Sequence, residues 1–309
     1  MNAEITVDII VLTLNEESSI NDVLTSFKTR LPDVKLRALV IDGKSVDNTV
    51  SLAKKAGAEV LVQKTKGKGA AMREGIDSVT SDIIAFIDGD GTYDPKELDT
   101  LLIPIIENEA DMVIGSRFMG EREKGSITFL NRIGNRIFNT LVKISNNFNI
   151  TDVLSGYRAV RTKSLNEIVL FSEGFEIEVE LTLEFLSKNL RIKEVPISYK
   201  RRYGSKTKLK PFHDGVEIFK TLFLAMLNTR PLYFFSILSA ILFFIGMYPA
   251  AIVVFEKIVY GEVIHLPSVV LSSLFVISGG LTLILGILAN LIVSTRKRME
   301  YLLRKMEQS

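Results

Sequence analysis

Two aspartates, Asp88 and Asp90, lie two residues apart directly after the apolar run Ile83–Ile87. The glycine between them and the glycine that follows let the backbone turn sharply at this point. A pair of carboxylates on such a turn can hold a divalent cation that also binds a diphosphate. A ligand-free turn is an equally open interpretation, because Asp and Gly favour turns for conformational reasons. The pair predicts a metal site only where other polar groups converge on it.

Three other polar positions supply such groups. Glu16 follows the first apolar run and is a candidate ligand for a nucleoside, although this short motif is equally compatible with a helix start. Asp42 follows the second run, where it can accept hydrogen bonds from a base or a ribose. Lys68 lies in the glycine-rich loop Lys64–Ala71, where lysines and backbone N–H groups suit a phosphate. The spacing is not that of a P-loop, and a solvated basic turn is the alternative.

An alternation of strands and helices would place these positions at one edge of a sheet. Val7–Leu14 is a continuous apolar run, as expected of a strand buried on both faces. Further strands are predicted at Leu36–Ile41, Val60–Val62, Ile83–Ile87 and Met112–Ile114, and helices at Ser18–Arg30, Asn48–Ala56 (with Asp47 and Asn48 as caps), Ala70–Val79 and Pro95–Asn108. This order predicts an α/β fold with a mostly parallel sheet between two layers of helices. Ligands of such sheets bind at the carboxyl ends of the strands.

Two long uncharged runs, Pro231–Phe255 and Pro267–Val293, lie near the carboxyl end. Each exceeds the ~20 apolar residues that a helix needs to cross the hydrocarbon core. The short linker Glu256–Leu266 predicts an antiparallel hairpin. Lys and Arg are frequent before the first run and after the second, which places both termini in the cytoplasm. Close helix packing and ordinary membrane-helix composition explain the small residues of the second run equally well, namely Ser278, Gly279, Gly280 and Gly286.

The composition restricts the metal chemistry. The chain of 309 residues has no Cys and two His, so it has no disulfide or thiolate metal site, and a His-based zinc site is not expected. Any metal is then held by oxygen atoms, which favours Mg²⁺ or Mn²⁺.

In combination, these motifs resemble the family 2 glycosyltransferases of the GT-A fold, and within them the polyprenyl-phosphate glycosyltransferases such as dolichyl-phosphate mannose and glucose synthases. The resemblance covers residues 5–228, and the matching segments, in the family's order, are Thr13–Glu16, Asp42–Thr49, Gly67–Gly69, Asp88–Asp90, Gly115–Phe118, Asp152–Arg158 and Arg202–Lys206. Two departures leave the donor open. Thr92 stands where mannose synthases often carry Gln, which puts a third side-chain metal ligand in doubt, and Lys44 interrupts the Asp-Gly-Ser pattern.

This resemblance implies an architecture. It consists of a cytosolic GT-A-type, Rossmann-like domain at residues 1–210, a juxtamembrane amphipathic helix at 211–230, two transmembrane helices within 231–295 and a basic cytosolic tail at 296–309. The implied localisation is the cell membrane, in a multi-pass arrangement with the catalytic domain on the cytoplasmic side.

The resemblance also implies a reaction: metal-dependent transfer of a hexose, with inversion, from a nucleotide sugar to a polyprenyl (dolichyl) phosphate, as used in protein glycosylation. UDP-glucose, UDP-GlcNAc and GDP-mannose all stay open as donors. The acceptor phosphate is already an anion, so no strong general base is required. The implied catalytic residues are Asp90, Arg117, Arg202 and Lys206; the donor set is Leu14, Glu16, Asp42, Lys68, Asp88, Gly89, Asp90 and Ser205; the acceptor phosphate set is Arg117, Arg132 and Ser155; and the metal ligands are Asp88 and Asp90.

Four further interpretations keep their alternatives. The loop Arg201–Lys208 is either a basic lid over the diphosphate or a patch for lipid headgroups. The basic amphipathic stretches Ile127–Phe148 and Phe212–Leu227 lie at the membrane surface or pack on the domain. Glu176 and Glu180 share a helix face that is either near the sugar or solvated. Arg158 is a candidate structural partner of Asp152.

Two other functions remain as rivals. One is a lipid-directed glycosyltransferase that extends a lipid-linked glycan, although the absence of Trp excludes a Gln-x-x-Arg-Trp segment. The other is a non-catalytic, membrane-tethered protein that binds a nucleotide sugar. No nucleic-acid partner is expected, and homo-oligomerisation stays open.

Overall fold

The computed structural model describes residues 4–146, 148–202, 215–216, 219–220, 223, 227 and 231–307. The chain divides into two compact units, Met1–Leu222 and Phe223–Ser309, which are described separately below. The domain boundaries expected near residues 210 and 230 fall in a stretch that is mostly outside the described residues, so they stay predictions.

The first unit contains a seven-stranded sheet. The strands are β1 Ile5–Thr13, β2 Val34–Asp42, β3 Glu59–Val62, β4 Ile83–Asp88, β5 Met112–Ser116, β6 Arg158–Arg161 and β7 Ile192–Pro196, in the spatial order β3-β2-β1-β4-β6-β5-β7. Only β6 runs antiparallel to its neighbours β4 and β5, whereas all other pairs are parallel. The predicted mostly parallel α/β sheet is therefore confirmed.

Helices cover this sheet. They are α1 Ile20–Ser26, α2 Thr49–Lys55, α3 Lys68–Asp77, α4 Leu98–Ile106 (after a 3₁₀ turn at Pro95–Glu97), α5 Phe129–Asn146, α6 Thr162–Leu165 and α7 Ile177–Ser187. Neighbouring residues of a strand point to opposite faces, and both Ile9 and Ile10 of β1 are buried, so both faces of the sheet are packed. Asp47 accepts hydrogen bonds from the N–H and hydroxyl of Thr49 and so caps α2 as expected, whereas the side chain of Asn48 donates to Glu17.

The strand register brings three polar segments together. Thr13 at the end of β1 pairs with Asp42 at the end of β2, and on the other side Leu12 pairs with Asp88 at the end of β4. The chain leaves these three adjacent strands at the same edge of the sheet. The chain runs outward from β1 to β2 and β3 and then crosses to β4 on the other side of β1, so the strand order reverses between β1 and β4. α/β sheets typically bind ligands in a crevice at such a point.

The second unit consists of two helices, α8 Pro231–Tyr260 and α9 Leu266–Glu307. Both are long and apolar enough to cross a membrane, which indicates membrane association. Along their contact the Ser239 hydroxyl donates to the Gly279 carbonyl at 2.7 Å. The linker is shorter than expected, because α8 continues past Glu256. The Glu256 carboxylate accepts the backbone N–H groups of Ile264 and His265 and contacts the His265 ring, so this charged residue is satisfied inside the helix.

Candidate active site

The Asp88–Asp90 turn packs against the end of β1 and is hydrogen-bonded to it. The Gly89 N–H donates to the Leu12 carbonyl at 2.9 Å, and a Cβ at Gly89 would lie 2.5 Å from Thr13 Cγ2, so only glycine allows this approach. Beyond it, the N–H and hydroxyl of Thr92 both donate to Asp90 Oδ1, at 3.0 and 2.7 Å. Tertiary contacts of Gly89 therefore fix the turn against β1, whereas the Thr92 hydrogen bonds to Asp90 are local to the turn.

Lys68 joins two carboxylates in this crevice. Its Nζ lies 2.7 Å from Asp88 Oδ1, 2.7 Å from Glu178 Oε1 and 5.5 Å from the centre of the Phe175 ring. Burial by itself would lower the pKa of the Lys68 ammonium group, but the charges of Asp88 and Glu178 outweigh burial and raise that pKa above its ordinary value. Lys68 therefore acts as a fixed positive charge beside Asp88.

The glycines on either side of Lys68 have a different role from the one expected. A Cβ at Gly67 or Gly69 would clash with the backbone of Ser172 or Glu173. The N–H of Gly69 donates to the Glu173 carbonyl at 2.8 Å, and that of Ala70 reaches the same oxygen at 3.3 Å. These two N–H groups are already used within the protein, so the expectation that they cradle a phosphate is corrected. Glycine is needed here because two backbones pack together.

Arg202 joins a second pair of carboxylates. Its Nη2 lies 2.7 Å from Asp90 Oδ2 and 2.8 Å from Glu16 Oε1. In the structure the Glu16 carboxylate contacts Arg202, and the expected contact of Glu16 with a nucleoside stays a prediction. The backbone of the segment before Arg202 is fixed by the Lys200 N–H, which donates to the Thr92 carbonyl at 2.8 Å. The predicted residues Ser205 and Lys206 lie outside the described residues.

The donor atoms suit a divalent cation that is shared with a ligand. The two clusters contain four carboxylates, two around Lys68 and two around Arg202. The described side chains of these clusters therefore carry two more negative than positive charges. Within the part of the chain that the structure describes, no group of three or more His, Cys, Asp or Glu side chains is arranged to hold an ion. Mg²⁺ is typically held by one or two carboxylates together with substrate phosphates, and the Asp88–Asp90 pair fits that mode.

Asp42 supports the loop that follows β2. It is completely buried, and its carboxylate accepts hydrogen bonds from the Ser45 N–H and hydroxyl, at 2.8 and 2.6 Å, and from the Thr13 hydroxyl at 3.1 Å. Leu14 is half-buried beside this loop, and a Cβ at Gly43 would lie 3.2 Å from the Leu14 Cβ. Asp42 therefore positions the loop, and a direct contact with a base or ribose stays a prediction.

Arg117 takes the Asp152 partner that was expected for Arg158. Arg117 Nε and Nη2 each donate to a separate oxygen of Asp152 at 2.7 Å, and its guanidinium lies over the Tyr199 ring. Arg158 does not pair with Asp152. It is buried and donates to the carbonyls of Val153 and Ser155 and to the Thr182 hydroxyl. Burial lowers the pKa of Arg158 to about 10. Arg158 is structural, as expected, but through different partners.

Arg132 lines a basic cavity beside α5. The cavity has a volume of about 570 Å³. It is lined by Phe118, Arg122, Arg132, Asn135, Arg136, Asn139, Thr140, Lys143, Asn149, Ile150 and Thr151. Its lining combines four cations with amides and hydroxyls, which suits an anion. The Ser155 hydroxyl, by contrast, is buried and donates to the Gly115 carbonyl at 2.5 Å, so it does not face this cavity.

Sequence reasoning missed three residues of the crevice. Glu178 contacts Lys68, whereas the expected face of Glu176 and Glu180 accepts backbone N–H groups of residues 171–174. The Tyr93 hydroxyl accepts the Gly156 N–H at 2.9 Å, and a Cβ at Gly156 would lie 2.8 Å from Asp88 Oδ2. The signal available in the sequence was that Gly156 lies directly after Ser155 in a family-like motif. The contacts of these three residues join distant parts of the chain, and such contacts leave no local sequence pattern.

Comparison with known proteins agrees with this arrangement. Residues 8–169 match the model described as Glycosyl transferase family 2. Glycosyltransferase AglJ of Haloferax volcanii is 35% identical over 301 residues, which cover 97% of this chain and 97% of that protein. A protein of the same organism named dolichyl-phosphate hexose transferase is 32% identical over 224 residues, which cover 72% of this chain and 94% of that protein.

Solved structures share the fold. Glucosyl-3-phosphoglycerate synthase of Mycobacterium tuberculosis, crystallised with Mn²⁺, UDP-glucose and phosphoglyceric acid, superposes with a TM-score of 0.59 at 22% identity, over 72% of this chain and 79% of that chain. The same enzyme with UDP alone gives a TM-score of 0.58 at 22% identity, over 72% of this chain and 80% of that chain. This level of identity supports the GT-A-like fold alone.

Proposed function

Because the chain belongs to glycosyl transferase family 2 and is a glycosyltransferase, we propose that it transfers a hexose from a nucleoside-diphosphate sugar to a polyprenyl phosphate held in the membrane. The convergence of Lys68, Asp88, Asp90 and Arg202 at the carboxyl ends of the strands carries this proposal. The relative named dolichyl-phosphate hexose transferase and the two apolar helices support the lipid acceptor. UDP-glucose, UDP-GlcNAc and GDP-mannose are the candidate donors.

On the donor side, Asp90, with Asp88 beside it, would hold Mg²⁺ or Mn²⁺. When bound there, the cation neutralises charge that develops on the departing diphosphate. Lys68 adds a fixed positive charge beside Asp88. Arg202 is the second cation within reach of the diphosphate, and Lys206 and Ser205 keep their proposed roles in the same segment. Glu16, Leu14 and Asp42 shape the neighbouring loop where the nucleoside is proposed to bind.

On the acceptor side, the basic cavity beside α5 supports binding of a lipid phosphate at Arg132. Arg117 and Ser155 contribute to this side by holding the segment around residues 152–156, because their polar groups contact Asp152 and Gly115. Exposed Phe129, Ile133 and Ile137 form an apolar stripe at helical spacing on the same helix. Such a basic amphipathic helix suits the surface of a membrane.

The proposed reaction is a single displacement. An oxygen of the acceptor phosphate attacks the anomeric carbon, a new C–O bond forms, and the nucleoside diphosphate leaves with the electron pair of the broken C–O bond. The configuration therefore inverts. The attacking oxygen is already anionic, so this chain needs no side chain to remove a proton.

The transfer assay tests this function directly. Purified full-length protein in detergent would be incubated with Mn²⁺, a polyprenyl phosphate and each labelled GDP- or UDP-sugar in turn, and label would be counted in the organic phase. We expect metal-dependent label from one donor, with loss of label in Asp90→Ala but retained binding of the donor. Label that requires a lipid-linked glycan as acceptor would favour the extending enzyme, and donor binding without any transfer would favour the non-catalytic binder.

The proposed topology has both termini and the catalytic domain in the cytoplasm. It rests on the Lys and Arg residues that precede α8 and those that follow the apolar span Leu266–Thr295 of α9. Because the chain has no Cys, single cysteines can be introduced without background. In the Glu262→Cys variant, the new cysteine lies between the two helices and should react with an impermeant thiol reagent added outside intact cells. In the Lys54→Cys variant, the cysteine should react only after the membrane is opened.

A further inference from the structure

Arg202 contacts the Asp90 carboxylate in the structure. Its Nη2 lies 2.7 Å from Asp90 Oδ2, and the same nitrogen lies 2.8 Å from Glu16 Oε1. The side chains of Asp90 and Glu16 are only 10% and 4% exposed, so this contact is shielded from water. A shielded ion pair between a guanidinium and two carboxylates is electrostatically much stronger than a surface pair.

The Asp90 carboxylate has two differently engaged oxygens. Oδ1 accepts both the N–H and the hydroxyl of Thr92, which belong to the same tight turn. Oδ2 is contacted by Arg202, which approaches from a distant part of the sequence. A ligand that needs an Asp90 oxygen can therefore displace Arg202 without unfolding the turn, and Oδ2 is the oxygen that becomes available.

The two cations of the crevice differ in their exposure. Lys68 lies between Asp88 and Glu178 and also faces the Phe175 ring. Arg202 Nη2 lies between Asp90 and Glu16, and the Arg202 side chain is 22% exposed, compared with 13% for Lys68. Arg202 is therefore the more accessible of the two cations to a ligand that enters from solvent.

We propose that Arg202 is an intramolecular competitor of the divalent cation, so that the guanidinium and the cation bind Asp90 in turn and not together. The inference rests on the metal-dependent function proposed above. A carboxylate oxygen binds Mg²⁺ at about 2.1 Å, so a guanidinium on the same oxygen would stand within a few ångströms of a double positive charge. The donor's diphosphate then offers the displaced Arg202 a new anionic partner, which couples cation binding to donor binding.

Mn²⁺ binding to the donor-free protein tests the proposal without any measurement of activity. Full-length protein in detergent would be titrated with Mn²⁺ and the free ion followed by electron paramagnetic resonance. We expect Arg202→Met to tighten Mn²⁺ binding by roughly tenfold, because the competing charge is gone. Arg202→Gln, which keeps polar groups but no charge, should do the same, and Arg202→Lys should stay near the wild-type affinity.

Two controls make the result specific. Lys200→Met removes one positive charge from the same segment, but Lys200 contacts Asp94, so Mn²⁺ affinity should not change. Asp90→Asn in the Arg202→Met background should abolish the gained affinity. Equal Mn²⁺ affinity in wild type, Arg202→Met and Arg202→Gln, or a gain that survives Asp90→Asn, would overturn the proposal. The transfer assay with wild-type protein is scored separately, so a failure here leaves the proposed function standing on its own result.

Discussion

Arg117 and Asp152 form a bidentate ion pair in which Nε and Nη2 of the guanidinium each lie 2.7 Å from a different carboxylate oxygen. The Arg117 N–H also donates to Asp152, at 3.0 Å. This pair connects the chain just after β5 to the segment that precedes β6. An arginine expected to bind the acceptor phosphate thus also holds two parts of the candidate site together, and its contact with that phosphate stays a prediction.

Loss of this pair should destabilise the first unit. Asp152 is completely buried, and Asp152→Asn leaves the Arg117 guanidinium, whose side chain is only 15% exposed, without its counter-charge. Breaking a buried pair costs about 3–5 kcal/mol. The measurement is the urea unfolding midpoint of the detergent-solubilised protein. The control is Lys193→Met, which breaks an ion pair with Glu109 whose side chains are both about half exposed, and which should change stability by less than about 0.5 kcal/mol. Equal midpoints for the two variants would contradict the structural role.

Thr92→Val should weaken catalysis by removing one hydrogen bond to Asp90. The hydroxyl lies 2.7 Å from Oδ1, and a hydrogen bond to a charged group contributes about 1.5–3 kcal/mol, so kcat should fall roughly tenfold or more. Valine keeps the shape of threonine, which separates this effect from packing. Thr25→Val, where the hydroxyl donates to the Asn21 carbonyl within α1, is the matched control. An unchanged dependence of rate on Mn²⁺ in Thr92→Val would count against a cation on Asp90.

Gly156→Ala should raise the KM for the donor several-fold. The new Cβ would lie 2.8 Å from Asp88 Oδ2 and 3.0 Å from Lys68 Nζ, so one of these groups must move. Gly134→Ala is the control, because its Cβ meets only the Phe138 ring at 3.9 Å and alanine favours a helix. Steady-state kinetics at varied donor concentration would give the donor KM of both variants. If both variants keep the wild-type KM, Lys68 and Asp88 do not contact the donor.

The contribution of Lys68 should not depend on pH through the neutral range. The charges of Asp88 and Glu178 raise the pKa of Lys68 above 10.5 despite burial. A raised pKa in the folded state means that the stabilisation is complete below the unfolded pKa and is lost only as pH rises through the folded one. The stability difference between wild type and Lys68→Met should therefore stay constant from about pH 6 to about pH 9 in thermal unfolding. A difference that shrinks within this range would show that Lys68 loses its proton there.

The packing of the two apolar helices should depend on one glycine and tolerate substitution of another. A Cβ at Gly286 would lie 2.5 Å from the Phe235 Cβ, whereas a Cβ at Gly280 meets nothing within 4 Å. Gly286→Val should therefore lower the thermal stability of the hairpin in detergent, and Gly280→Val should leave it near wild type. The reverse order would mean that the two helices pack through a different face.

The class of fold could be predicted because its signals are local. Continuous apolar runs such as Val7–Leu14 mark strands that are buried on both faces, and the strand–helix alternation then allows few topologies. The strands β6 and β7 were not predicted. The first is four residues long and has an arginine at each end, so it carries no hydrophobic period. The second was not distinguished from its surroundings, because its charged and apolar residues suit an exposed edge equally well.

The sequence by itself determined the family resemblance, the Asp88–Asp90 pair and the two apolar spans, because residue type and spacing along the chain carry these signals. Only the tertiary structure decided which partner each charged residue has. Glu178 contacts Lys68 from a position 110 residues further along the chain, Arg202 joins Glu16 to Asp90, and Arg117 takes the partner expected for Arg158. Such pairs are set by strand order and helix packing, and a side chain's neighbours across a crevice leave no period or motif in the local sequence.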